Sequence, residues 1–126
     1  MSEERRLDVV IKATSAENEE KLLSVLGLCA RSRNLIFGVP QICEALGKDR
    51  QREINKGKYP LMVFEASDVS DNTHKRISDK CGYYNVKRIV LAANGETLAQ
   101  KLGKSSMIAA VAITHKEFCR LAEKYI

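Results

Sequence analysis

The sequence predicts an α/β protein, a helix–sheet–helix sandwich of about four strands. Three observations carry that expectation. Short apolar runs of strand length alternate with longer stretches whose apolar residues recur at helical spacing, a pattern that builds a sheet covered by helices on both faces. The chain has 126 residues, 44% hydrophobic and 29% charged. That suits one globular domain able to bury its core without disulfides or metal. The longest apolar runs, such as residues 107–113, fall well short of the roughly 18 residues a membrane span needs.

Residues 1–17 form a mixed leader, in which Leu7-Asp-Val-Val-Ile-Lys-Ala reads either as a short strand or as part of a mobile segment. From Ala16 the pattern turns helical. Leu22, Leu23, Val25, Leu26, Leu28 and Cys29 make a broad apolar face, and Glu19 and Glu20 stand in the first turn, where acids favour the helix dipole. Arg31-Ser-Arg-Asn ends this helix, with Asn34 suited to a left-handed cap. Leu35-Ile-Phe is a strand. Gly38 breaks it, and Pro40 falls in the first turn of the next helix, where proline is tolerated. Ile42, Cys43, Ala45 and Leu46 are that helix's buried side. The polar stretch 47–58 carries Lys48, Arg50, Arg52, Lys56 and Lys58 against Asp49 and Glu53.

Pro60 then precedes Leu61-Met-Val-Phe, short and apolar enough for a central strand. Ser67-Asp-Val-Ser-Asp-Asn-Thr leads into a helix over 73–84 and is rich in capping side chains. Arg88-Ile-Val-Leu-Ala is a strand, 95–102 a short helix, 107–114 a strand and 116–125 a closing helix.

Charge narrows the function. Lys and Arg number 21 against 16 Asp and Glu, a net of +5. The first 20 residues carry a net of −3, so the remainder carries +8. A basic domain of this kind steers phosphates toward itself and suits a polyanion partner. The opening Met1-Ser-Glu-Glu-Arg-Arg lacks the apolar core of a signal peptide, so a cytoplasmic location is expected.

Catalytic and metal chemistry find little support. Cys29, Cys43, Cys81 and Cys119 include no Cys-x-x-Cys pair, and His74 and His115 do not stand at zinc-finger spacing from them. Small buried hydrophobes are the expected role of the cysteines. Gly103-Lys-Ser imitates a phosphate loop, but Leu98 stands where the earlier glycine is required, and the segment leaves a helix rather than a strand. Glu65, Asp68 and Asp71 cluster after a strand, where helix capping explains the two aspartates. An enzyme is therefore not expected, and neither a metal nor a cofactor is implied.

Two loops remain. Arg31, Arg33 and Asn34 precede a strand that ends in Gly38-Val-Pro-Gln, a helix start with unpaired backbone donors and a positive dipole end. Gly103, Lys104, Ser105 and Ser106 form a cationic, hydroxyl-bearing turn suited to phosphate oxygens. Only if the sheet sets these loops side by side do they make one surface.

The motifs Leu22-Leu-Ser-Val-Leu-Gly-Leu-Cys-Ala-Arg-Ser-Arg-Asn-Leu-Ile-Phe-Gly, Asp68-Val-Ser-Asp-Asn-Thr, Asp79-Lys-Cys-Gly-Tyr-Tyr-Asn-Val, Leu102-Gly-Lys-Ser-Ser and Val111-Ala-Ile-Thr occur in that order. Together they resemble the L-seven-Ae ribosomal protein superfamily, and most of all its bacterial YlxQ-like members. The resemblance implies a three-layer α/β/α sandwich with a mixed sheet of about four strands over residues 18–126, behind the 1–17 leader. It also implies binding of kink-turn RNA; a ribosome-associated monomer is the expected state. An A-form major groove is normally too deep and narrow for side chains. Tandem sheared G·A pairs at a kink open it to a helix N-terminus.

In the family that helix begins with glycine, a variable residue, then Asn-Glu, with a lysine three positions on. Here Gly38 matches the glycine and Val39 the variable position. Pro40 and Gln41 replace Asn-Glu, and Glu44 replaces the lysine. Gly103, Lys104, Ser105, Ser106, Met107 and Ile108 match the family's second loop, which covers an extruded nucleotide. Arg31, Arg33 and Lys104 are expected to meet phosphates. Stretch 47–58 looks longer than its family counterpart, as a basic insertion or a solvated helix extension. The departures at Pro40, Gln41 and Glu44 also suit a relative that keeps the fold but binds a different RNA or a protein.

Overall fold

A computed structural model of the chain describes residues 10–12 and 15–126. The elements run β1 (Val10–Lys12), α1 (Ala16–Arg31), β2 (Leu35–Phe37), α2 (Val39–Leu46), α3 (Arg50–Asn55), β3 (Met62–Glu65), α4 (Asp71–Tyr84), β4 (Lys87–Val90), α5 (Gly95–Lys101), β5 (Ala110–Ile113) and α6 (Lys116–Glu123). One mixed sheet has the order β1-β4-β3-β5-β2. β1 and β3 flank β4 in parallel, while β5 is antiparallel to both β3 and β2.

Alternation along the strands divides their side chains between two faces. Met62, Phe64, Ile89, Val111 and Ile113 pack under α1, α5 and α6, against Leu22, Leu26, Leu98 and Ala122. Val63, Ala110 and Ala112 face the other way, beneath Ile42 and Leu46 of α2 and Ile77 and Cys81 of α4. The α/β/α sandwich expected from the sequence is the fold observed.

Several details differ from expectation, each for a physical reason. The sheet gains a fifth strand, β1, from within the leader's Leu7-to-Ala run; the rest of that run lies outside the described residues. The left-handed residue ending α1 is Arg33, with φ 63°, not Asn34. The Arg33 N–H donates to Ala30 and the Asn34 N–H to Cys29, so the six-to-one closure places the turn one residue early. Leu28 is 44% exposed, because it sits off the stripe that Leu22, Leu26 and Cys29 turn toward the sheet.

Glu19 does more than favour the α1 dipole. Its buried carboxylate accepts the Ala92 and Ala93 N–H groups at 2.9 and 2.7 Å, tying α1 to the turn after β4. Asp68 caps no part of α4, whose cap is Ser70; it accepts the Gly95 N–H at 2.9 Å instead. The 47–58 stretch is not an extension of α2. Gly47 closes α2 and Asp49 caps the separate helix α3. Three of the cysteines are buried as expected, and Cys119 is only partly so.

Candidate nucleic-acid interface

The local sequence makes α2 unlike its neighbours. Ser15, Asp49, Ser70 and Asn94 each cap their helix by accepting the N–H three residues on. α2 starts at Gly38, which has no side chain to do so. Gly38 holds φ 94° and ψ 144°, a backbone conformation that side-chain-bearing residues rarely adopt; a Cβ there would also push aside the flexible Gln41 amide, whose Oε1 it would meet at 2.5 Å. Its own N–H donates to the Ala110 carbonyl, and its carbonyl accepts from Ile42. Pro40 has no N–H, and the Val39 and Gln41 N–H groups find no acceptor among the described residues. Val39, Ile42, Cys43 and Leu46 point into the core, leaving Pro40, Gln41 and Glu44 on the exposed face.

The Gly38–Ala110 bond also answers the adjacency question. Because β2 and β5 pair antiparallel, Phe37 sits opposite Val111, and the chain entering β5 must pass beside Gly38. That chain is the second loop. The expected strand over 107–114 begins only at Ala110, since Ile108 is held elsewhere: its N–H donates to the Gly95 carbonyl at 3.1 Å. Ile108 is thereby buried, while Met107 stays 59% exposed. The Lys104 Nζ lies 4.5 Å from the centroid of the Phe37 ring.

Phe37, Gly38 and residues 104–109 line one open cleft of about 370 Å³. It offers an aromatic and thioether surface, one ammonium, two hydroxyls and a helix start. Such a mixture suits a stacked base beside a phosphate. Gly103, at φ 74°, is the turn that launches the loop and does not line the cleft.

The structure does not bring every expected residue here. Arg31, Arg33 and Asn34 lie before β2, whereas Gly38 lies after it. Residues 34–37, mostly extended, separate Arg33 from Gly38, a span of at most roughly 16 Å. Arg33 instead borders two other clefts, with Lys48 and Lys58. Sequence reasoning missed Phe37 and Ala109 as cleft residues, and Gly95 as the loop's support. Phe37's place directly before Gly38 was the signal available for it. The carboxylates near this end of the sheet are occupied. Buried Glu65 meets the Arg88 guanidinium at 2.5 Å and also the His74 ring. Among the described residues no group of His, Cys, Asp and Glu could hold a metal ion, and no helix is long and apolar enough to cross a membrane.

No family model matches the chain. Among similar proteins, the RNA-binding protein YlxQ of Enterococcus faecium is 30% identical over 87 residues, covering 69% of this chain and 75% of that protein. The chain belongs to the YlxQ-like family of the L-seven-Ae superfamily. A second relative, the RNA-binding protein YlxQ of Bacillus subtilis, is 30% identical over 96 residues, or 75% of this chain and 83% of that one. A solved structure of a Bacillus halodurans protein of unknown function matches this YlxQ-like chain with a TM-score of 0.65 and 28% identity, over 83% of this chain and 95% of the other. The Giardia lamblia 15.5kD RNA binding protein matches with a TM-score of 0.60 over 98% and 93%; at 17% identity that likeness speaks for the fold alone.

Proposed function

We propose that this chain binds structured RNA of the kink-turn type, without catalysis, in the cytoplasm as a ribosome-associated monomer. The carrying observation is the convergence of the α2 start and residues 104–109 on one cleft. Its parts divide the labour. Phe37 and Met107 offer faces for an extruded base, where each stacked base is worth about 1–3 kcal/mol. Lys104, Ser105 and Ser106 hold phosphate oxygens. Gln41, outside the cleft lining on the exposed face of the α2 start, can both donate and accept and would meet a guanine edge. The two curated relatives named as RNA-binding proteins support the RNA part of this reading.

A second reading has its own observation. Pro40 removes a donor at the helix start, and exposed Glu44 puts a negative charge on the face that would meet RNA. Both fit a relative that has moved to another RNA shape or to a protein. Titrating the protein at two salt concentrations against a kink-turn RNA, and a control with its G·A pairs made Watson–Crick, separates the two. The first reading expects binding that the control loses by about 10³-fold or more. Equal, weak and salt-sensitive binding to both RNAs would overturn it.

A further inference from the structure

We propose that a second cleft, at the opposite end of β2, holds the phosphate backbone of a regular A-form RNA stem. The inference rests on the RNA reading above but not on kink-turn selectivity. Two neighbouring clefts, of about 250 and 680 Å³, share Arg33, Gly57, Lys58 and Thr114. Lys48 borders the smaller and Lys116 the larger. Arg33, Lys48, Lys58 and Lys116 have no ion-pair or side-chain hydrogen-bond partner among the described residues. The carboxylates present do not neutralise them. Glu53 pairs with Lys56 at 3.8 Å, and Glu117 with Arg120 at 3.1 Å.

The backbone aims these cations. Gly57, at φ 72°, closes α3 and turns the chain so that the Lys58 N–H donates to the Glu53 carbonyl. Arg33 holds the left-handed conformation, φ 63°, that glycine adopts more readily. A strained cationic residue at the rim of a basic cleft points to use of its side chain. No Phe, Tyr or Trp lines either cleft, and the unpaired cations outnumber the single ring, His115, so the chemistry that dominates is phosphate recognition. β2 is an edge strand, so both ends of it lie on one side of the molecule. A stem leaving the Gly38–Lys104 cleft along that edge reaches Arg33 within roughly 16 Å. Stretch 47–58 then acts as a basic insertion that extends the RNA surface.

The test uses a plain A-form RNA duplex without a kink, titrated over a range of salt. The variant combines Arg33→Gly, which relieves the backbone, with Lys58→Gln and Lys116→Gln at exposed positions. Unchanged or higher Tm confirms that it folds. For the duplex, the slope of log affinity against log salt should shrink by nearly three units. Binding of a kink-turn RNA trimmed of its flanking stem should match wild type. An unchanged duplex slope overturns the proposal. So does binding of polyglutamate to wild type but not the variant, with the duplex unaffected, because the cleft would then serve an acidic protein. Loss of kink-turn selectivity alone would refute the first cleft's reading and leave this one standing.

Discussion

Gly95 shows how a residue outside the cleft shapes it. A Cβ there would stand 2.9 Å from the Ile108 carbonyl oxygen, which is backbone and cannot swing away, and 2.9 Å from the Met107 Cε. Gly95→Ala should therefore cost about 1–3 kcal/mol of stability by overpacking. It should also weaken RNA binding several-fold by lifting Met107 and Ile108, as chemical denaturation and titration of the same sample would show. Cys29 makes a different kind of prediction. Burial pushes its thiol up to about 12, with the neighbouring Cys119 adding to the rise. Below pH 9 both folded and unfolded chains keep that proton. Between pH 9 and 12 the unfolded chain releases it and the folded chain does not, so stability falls as pH rises, by up to about 1.4 kcal/mol per pH unit. Urea unfolding at pH 8, 9 and 10 should show a steeper fall for wild type than for Cys29→Ala. Parallel curves would mean that the thiol ionises in place. The pairing of Glu65 with Arg88 and His74 was invisible in the sequence, because the partners lie 23 and 9 residues away and meet only once β4 pairs with β3 and α4 packs over the sheet.

At the level of elements, α2 carries the specificity question. Pro40, Gln41 and Glu44 share its exposed face because the core claims Val39, Ile42, Cys43 and Leu46. Glu44→Lys should strengthen RNA binding and steepen its salt dependence by about one unit per new phosphate contact. A neutral result would turn this helix face away from the RNA. The boundaries of α2 were legible, since Gly38 and Pro40 are strong local punctuation and Gly47 closes the helix. α3 was not, because its six residues bury none of their number and leave no periodic trace. The short β5 was misjudged for the opposite reason. Met107 and Ile108 are as apolar as the strand they precede, and only the hydrogen bond from Ile108 to Gly95 holds them out of it.

Across the whole molecule, layer order followed from periodicity, whereas adjacency needed topology. Apolar alternation gives a sheet between helices, but nothing in the order of elements states that β2 pairs with β5. That pairing sets Gly38 beside residues 104–109 and sends Arg33 to the far end. The sequence reading grouped Arg31, Arg33 and Asn34 with Gly38 because they are near in the chain. A strand of only three residues is enough to part them. The basic excess thus divides between two places along one sheet edge, a cleft with an aromatic wall and a cleft rimmed by unpaired cations. The measurement that tests this account most directly is an amide NMR titration of the isotope-labelled protein with a kink-turn RNA. The largest shifts should fall on Gly38, Gln41 and residues 104–108, with a second set at Arg33 and Lys58 once a flanking stem is added. Shifts confined to α1, α5 and α6, with the Gly38 and Lys104 amides unmoved, would contradict it.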